Sequence, residues 1–250
     1  MGPKITKKIN QDFFKNWSSD MAYVLGFFVA DGCITINKGR KNNPYTFNIT
    51  SKDLEHLDNI NKALCSDYKI GKKSNGRGSV AYQINVRNLT MARDVINLGI
   101  FPRKTYNLKP IKIPKEYFAD FVRGFFDGDG SVYIYNVNNT PQIKSSFVCT
   151  SLNFLKDFNT RLCEALDIPQ KSIHKTVGIK TGFMIQYSNC FYVDDSVKLA
   201  EFMYGKNSTL YLERKKEIFE KWKFVKRRTM IKRNYPSKVG WHLSEGVSPN

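Results

Sequence analysis

The sequence is short of acid. Only 22 Asp and Glu stand against 40 Lys and Arg, a formal net charge of +18 over 250 residues. A globular chain this basic meets a polyanion, nucleic acid first and an anionic membrane second. Long apolar runs are also missing. The longest stretch, near Tyr23–Ala30, falls far below the roughly 20 residues of a membrane span. Met1–Lys15 is basic and polar, with no apolar signal core. The five cysteines (Cys33, Cys65, Cys149, Cys163, Cys190) are odd in number, scattered and never in CxxC spacing, which excludes a disulfide or zinc framework and points to reduced thiols. Histidine is scarce: His56, His174 and His242 lie far apart, so a histidine-based nuclease site has no support. No GxxxxGK[ST] loop is present, and nucleotide hydrolysis is not implied. An apolar content of 41% excludes a disordered chain, and the length suits one large domain or two of about 100–150 residues.

What the chain does have is a repeat. Residues 22–37, AYVLGFFVADGCITIN, align without a gap to residues 120–135, DFVRGFFDGDGSVYIY, at an offset of 98. Gly26 meets Gly124, Phe27 and Phe28 meet Phe125 and Phe126, and Asp31-Gly32 meets Asp129-Gly130. Phe47–Ser51 then matches Phe147–Ser151 at an offset of 100. Helical patterns follow over Leu54–Leu64 and Phe154–Leu166, then strand-like runs at Tyr68–Ile70 with Val80–Val86 and at Ile173–Val177 with Phe183–Tyr187, then short helices near Met91–Leu98 and Ser196–Tyr204. The expected fold is α+β: two pseudo-symmetric halves of antiparallel hairpins and helices. Their expected bounds are 1–108 and 119–250, joined by a proline-stiffened linker over 109–118, with a frayed tail from about 233. A duplicated basic protein matches the local twofold symmetry of duplex DNA.

Within each repeat, Gly26 and Ala30, like Gly124 and Gly128, put two small residues on one helical face, so two helix backbones can approach closely. Packed together, these helices bring Asp31 and Asp129 side by side at their C-terminal ends. Gly32 and Gly130 then stand just past the helix, where positive φ is common. A carboxylate at a helix C-terminus costs about 0.3–1 kcal/mol, and a local rule broken twice in the same way marks a functional position. A divalent cation held between the two would offset the repulsion, and two carboxylates with phosphate oxygens and water make a magnesium environment. The DGDGS segment at Asp127–Ser131 is not a calcium loop, because Val132 stands where a glycine is required and Asn138 where an acid is. An Asp-Gly turn is the plain alternative for either aspartate.

The nonapeptides VLGFFVADG and VRGFFDGDG resemble the paired signature of LAGLIDADG homing endonucleases, and the resemblance covers about Ala22 to Lys223. It implies two αββαββα units whose sheets form a saddle on the DNA major groove. It implies site-specific, metal-dependent cleavage of both strands of duplex DNA, with metal held at Asp31 and Asp129 and the backbone at Gly32 and Gly130. Mg2+ is the expected cofactor, with Mn2+ substituting and Ca2+ supporting binding without cleavage. The sequence departs from the signature at Val29, where an acid is frequent, while the second copy keeps Asp127; that inner position is not the family's metal ligand. Family members carry a lysine past the last helix of a half. Lys104 is the candidate in the first half; in the second it is Lys206, with Lys215 as a rival.

Strand alternation turns Ile34, Ile36, Val132 and Ile134 toward the helices. It leaves Cys33, Thr35, Asn37, Thr46, Asn48, Gln83, Asn85 and Arg87 to face DNA in the first half, and Ser131, Tyr133, Tyr135, Ser146, Gln186 and Ser188 in the second. Asn and Gln suit adenine and Arg suits guanine. Loop cations (Lys38, Arg40, Lys41, Lys72, Lys73, Arg77, Lys180) would meet phosphates or flanking bases. The two faces differ, so the expected target is an asymmetric duplex of about two helical turns, bound by a monomer. A non-cleaving regulator and an intron maturase binding intron RNA are the competing functions on the same scaffold. The expected location is intracellular, at DNA in a cytoplasm, nucleoid or organelle matrix, with no secretion and no membrane partner.

Overall fold

A computed structural model describes residues 7–39, 44–74, 80–105, 107–178, 184–205 and 208–225. The first half runs α1 (Ser19–Asp31), β1 (Gly32–Ile36), β2 (Tyr45–Ser51), α2 (Leu54–Ala63), β3 (Ile70–Ser74), β4 (Val80–Val86) and α3 (Leu89–Asn97). The second runs α4 (Phe118–Asp129), β5 (Gly130–Val137), β6 (Thr140–Cys149), α5 (Leu152–Leu166), β7 (Ile173–Gly178), β8 (Met184–Tyr192) and α6 (Asp194–Tyr204). A further helix that the sequence reading did not anticipate, α7 (Glu213–Lys223), follows. Each half holds one four-stranded antiparallel sheet with the same strand order, β1-β2-β4-β3 and β5-β6-β8-β7. The chain is thus α+β with two αββαββα repeats. No helix among the described residues is long and apolar enough to cross a membrane.

Local chemistry accounts for the elements. Ser18 caps α1 by accepting from the Met21 amide at 3.1 Å, Asn88 caps α3 through the Met91 amide at 3.0 Å, and Ser151 caps α5. The strands bury alternate residues: Phe47, Ile49 and Ser51 in β2, Ile84 and Val86 in β4. These pack on their half's helices in one continuous core that includes Leu57, Ile60, Leu155 and Phe158. Between the halves, residues 107–114 carry no helix or strand, but Ile111 and Ile113 are buried and their carbonyls accept from the Arg161 guanidinium, each at 2.9 Å.

The structural repeat keeps the 98-residue offset farther than the sequence match does. Gly32 pairs with Ile49, and Gly130 pairs with Phe147. Phe147 is therefore the equivalent of Ile49, not of Phe47, and the match at an offset of 100 is a two-residue slip. Because side chains alternate with period two, the slip left the expected faces intact.

The two halves meet through α1 and α4. A methyl group on Gly26 would lie 2.2 Å from the Phe121 carbonyl oxygen, and one on Gly124 would lie 2.0 Å from that of Tyr23. Under the 98-residue offset these two contacts exchange, as a local twofold axis requires. A methyl on Gly128 would meet the Ala30 Cβ at 2.2 Å. Ala30 and Gly128 are equivalent positions, so the axis passes between them.

Candidate active site

Asp31 and Asp129 are the last residues of α1 and α4, one step beyond the point where the axis crosses. The Asp31 Oδ2 lies 3.5 Å from where a Gly128 Cβ would stand, so neither half could carry a bulkier residue there without parting the carboxylates. Both aspartates reach the surface, yet the surrounding protein removes enough water to raise both carboxyls above their usual range. For Asp129, burial and then the Asp31 charge push the value to about 6.

Gly32 and Gly130 do not adopt the positive φ expected of them. They have extended backbone (φ −95° and −82°) and already begin strands. Glycine is needed for a different reason. A Cβ would fall 2.0 Å from the Phe28 ring at Gly32 and 2.4 Å from the Phe126 ring at Gly130, because each helix's own aromatic folds over its exit.

Two lysines hold the helix ends. Lys104 Nζ donates to the Val29 carbonyl at 2.5 Å and to that of Ala30 at 3.3 Å. Lys215, in the first turn of α7, donates to the carbonyls of Phe126 (2.6 Å), Asp127 (2.9 Å) and Gly130 (2.6 Å). Val29 and Asp127 are equivalent positions, so the two ammonium groups serve the same backbone atom in the two halves. They offset the negative helix ends and the carboxylates beside them. Burial lowers both lysines, with the facing aspartates opposing it; Lys215 comes down to about 8. Lys206 lies outside the described residues, as do Arg40, Lys41, Arg77 and Lys180. Lys215, the rival, occupies a place that mirrors that of Lys104.

A cavity of about 190 Å³ opens beside Asp129. Lys104, Thr105, Cys149, Thr150 and Gln186 line it with Val29 and Ala30. Among the described residues no group of three or more His, Cys, Asp or Glu could hold a metal. The Gly130 carbonyl accepts from Lys215, and the two carboxylates fit a hard ion completed by phosphate oxygens and water.

The sheet faces turned away from the helices carry most of the expected side chains. Cys33 pairs with Asn48 and Thr35 with Thr46, and Asn48 pairs with Asn85. These polar side chains form a network: Asn48 Nδ2 donates to Asn85 and, at 3.4 Å, to Gln83, while Thr50 Oγ1 donates to Asn48 at 3.0 Å. Asn37 lies past β1 and caps a turn at the Gly39 amide, and Arg87 is exposed just past β4. In the second sheet Ser131 meets Ser146, their hydroxyls 2.8 Å apart, which covers Ser146 almost fully. Tyr133 pairs with Lys144, and Lys144 with Tyr192, so the expected Tyr133 shares one row with two exposed or half-exposed groups that the sequence did not single out; Tyr135 packs beside Tyr133. Gln186 and Ser188 share this face with Thr176 and His174.

Two expectations differ. Lys72 is not in a loop; it pairs with Tyr82 in β3, on the face opposite Gln83, and Lys73 instead shares the outward polar face. Ile36 is 52% exposed, because β1 runs past the helix layer that covers Ile34. Lys144 and Tyr192, and the place of Lys73 in β3 rather than in a loop, were readable only from strand register, which the sequence alone does not carry.

No family model matches the sequence, and no curated protein matches it. Solved structures do match. The LAGLIDADG homing endonuclease I-GzeII in complex with its DNA target aligns at a TM-score of 0.54 and 13% identity, over 83% of this chain and 89% of that one. A variant of I-DmoI with its target DNA and 2 mM Mn aligns at 0.52 and 15% identity, over 76% and 96%. The meganuclease I-SmaMI bound to uncleavable DNA aligns at 0.53 and 12% identity, over 83% and 88%. At such identities the likeness is one of fold.

Proposed function

We propose that this chain, which has the fold of the LAGLIDADG homing endonucleases, is a site-specific DNA endonuclease that makes a metal-dependent double-strand break. The observation that carries this reading is the pairing of Asp31 and Asp129 across the local twofold axis, each with a lysine beside it. A molecule with one acid-lysine pair on either side of an axis is suited to a duplex, whose two strands present scissile phosphates related by the same symmetry. The second supporting feature is charge: +18 overall, with polar and basic side chains on the outward sheet faces.

Asp31 and Asp129 would hold Mg2+, with Mn2+ as a substitute and Ca2+ as an ion that permits binding only. The ion supplies charge neutralisation at the phosphate and a more acidic bound water. The chain's own residues do the rest. The lysines keep positive charge beside the carboxylates and near the phosphate. The sheets fix register through Asn48, Gln83 and Asn85 on one side and Tyr133, Lys144 and Gln186 on the other. One chain carries both halves, so it acts as a monomer on an asymmetric target of about two helical turns.

The test is selection of cleavable sites from a randomised duplex library with Mg2+. Recovery of one asymmetric sequence cut on both strands supports the reading. Tight duplex binding without cleavage under Mg2+ or Mn2+ replaces it with a regulator, and preference for structured RNA over any duplex replaces it with a maturase.

A further inference from the structure

The two copies of the motif differ at two buried positions on α1 and α4. Where the first has Leu25 and Val29, the second has Arg123 and Asp127. The two polar residues are four apart, on one helical face, and both bond to the segment that leads into α7. Arg123 Nε donates to the Leu210 carbonyl at 2.8 Å, its Nη1 to the Met203 carbonyl at 2.8 Å, and its Nη2 to Asp120 at 2.7 Å. Asp127 Oδ2 accepts from the Leu212 amide at 2.8 Å and from the Tyr23 hydroxyl at 2.7 Å. Leu212 is the cap residue of α7, and Lys215 follows in its first turn. In the first half Lys104 arrives from the loop after α3, and the positions equivalent to Arg123 and Asp127, Leu25 and Val29, are apolar.

We infer that Arg123 and Asp127 are positioning residues: they fasten Leu210 and Leu212 to α4 and so aim Lys215 at the Asp129 side of the site. The inference rests on the proposed endonuclease reading for its consequence but not for its geometry. Buried charges are costly unless they are bonded, and here the Arg123 guanidinium bonds the Leu210 carbonyl of this segment, the Met203 carbonyl at the end of α6 and the adjacent Asp120. The second half thus spends polar groups on holding its lysine, and the first does not.

The experiment compares the reactivity of Lys215 and Lys104 toward trace acetic anhydride in the full chain, read by mass spectrometry. In the unaltered protein both amines react slowly. In Asp127→Val, the residue that the first motif has there, Lys215 should react at least ~10-fold faster while Lys104 is unchanged. Asp127→Asn, whose amide oxygen can still accept from Leu212, should restore the slow rate. Arg123→Leu serves as the second variant if the valine change prevents folding, with the same expected loss. Lys215 staying as protected as Lys104 in both Asp127→Val and Arg123→Leu overturns the inference. A duplex recovered by the library selection gives the second readout: Asp127→Val should nick, cutting one strand at least ~10-fold more slowly than the other, where simple destabilisation slows both alike. Equal slowing of the strands also overturns the inference, whereas failure of the unaltered protein to cut any duplex overturns the endonuclease reading and leaves the labelling result to decide this one.

Discussion

At Asp31 and Asp129 the chain places two carboxylates where burial, helix polarity and mutual repulsion all disfavour them, and that triple cost is what makes them candidates for chemistry. Replacing either by asparagine keeps the shape and removes the charge a metal needs. Asp31→Asn and Asp129→Asn should each lower cleavage by at least about 100-fold while duplex binding is kept, measured by single-turnover cleavage beside a binding titration. Loss of binding in step with cleavage would assign the aspartates to folding instead. His56 offers a separate prediction about stability. It is buried, its Nε2 lies 3.3 Å from the Tyr23 hydroxyl, its ring sits edge-on to Phe27, and burial lowers it from 6.5 to about 4. The unfolded chain takes up a proton as pH falls through 6.5, whereas the folded chain does so only near 4. Stability from this group is therefore complete above 6.5 and is lost between 6.5 and 4, about 2 kcal/mol by pH 5. Asp127 and Asp129, both raised to about 6, gain stability over the same window, so the loss is read as the difference between the unaltered chain and His56→Phe, the residue the second half has at Phe154, in denaturant titrations at pH 7.5 and pH 5.

At the scale of elements, α1 against α4 is the contact on which the site depends. Gly26→Ala or Gly124→Ala would drive a methyl into a backbone carbonyl, which no rotamer can relieve, so the helices must part. A cost of about 1–3 kcal/mol or more, several degrees in Tm, is expected. Gly71→Ala, whose nearest neighbour would be the Gln83 side chain at 3.8 Å, should be nearly neutral by the same thermal melt. This helix pair was legible in the sequence because a gapless repeat and a four-residue spacing of small residues survive without knowledge of the chain path. The sheets' outward faces were legible too, since alternation tolerates a two-residue slip. Lys215 was only a rival because its segment has no counterpart in the first half: Lys104 comes from a loop and Lys215 from an added helix, and only folding brings them to equivalent atoms. The same limit explains Lys72 and Lys73, whose faces depend on pairing with β4. At Gly32 and Gly130 the residue type was read correctly and its reason was not, because the closeness of the Phe28 and Phe126 rings is a packing fact and φ is a local one.

The whole molecule is a pseudo-symmetric body with an asymmetric surface, and its partner should report both properties. The frame repeats: strand order, the axis at Ala30 and Gly128, and a lysine at each helix end. The faces do not repeat. The first sheet presents an amide and hydroxyl network of Thr50, Asn48, Asn85 and Gln83, whereas the second presents Tyr133, Lys144 and Tyr192 in one row, with the Lys144 ammonium 5.4 Å from the Tyr192 ring centre. Amides discriminate bases through paired hydrogen bonds, about 1–3 kcal/mol for each good pair, while a tyrosine–lysine row offers stacking surface and charge with less base preference. The half-site under the first sheet should therefore tolerate fewer substitutions, and Asn85→Ala should relax selectivity there by about 1–3 kcal/mol at one or two positions without altering the other half-site. Affinity as a whole should follow charge. Each phosphate neutralised releases counterions, so a log–log plot of affinity against salt should be linear, and six to ten contacts would weaken binding by about 10³–10⁵-fold between 50 and 200 mM. Lys144→Ala should reduce that slope by about one contact and leave the base preferences of the first half-site as they were, because the two terms live on different atoms. A salt-independent affinity would mean that a surface carrying +18 is not the one that meets the DNA.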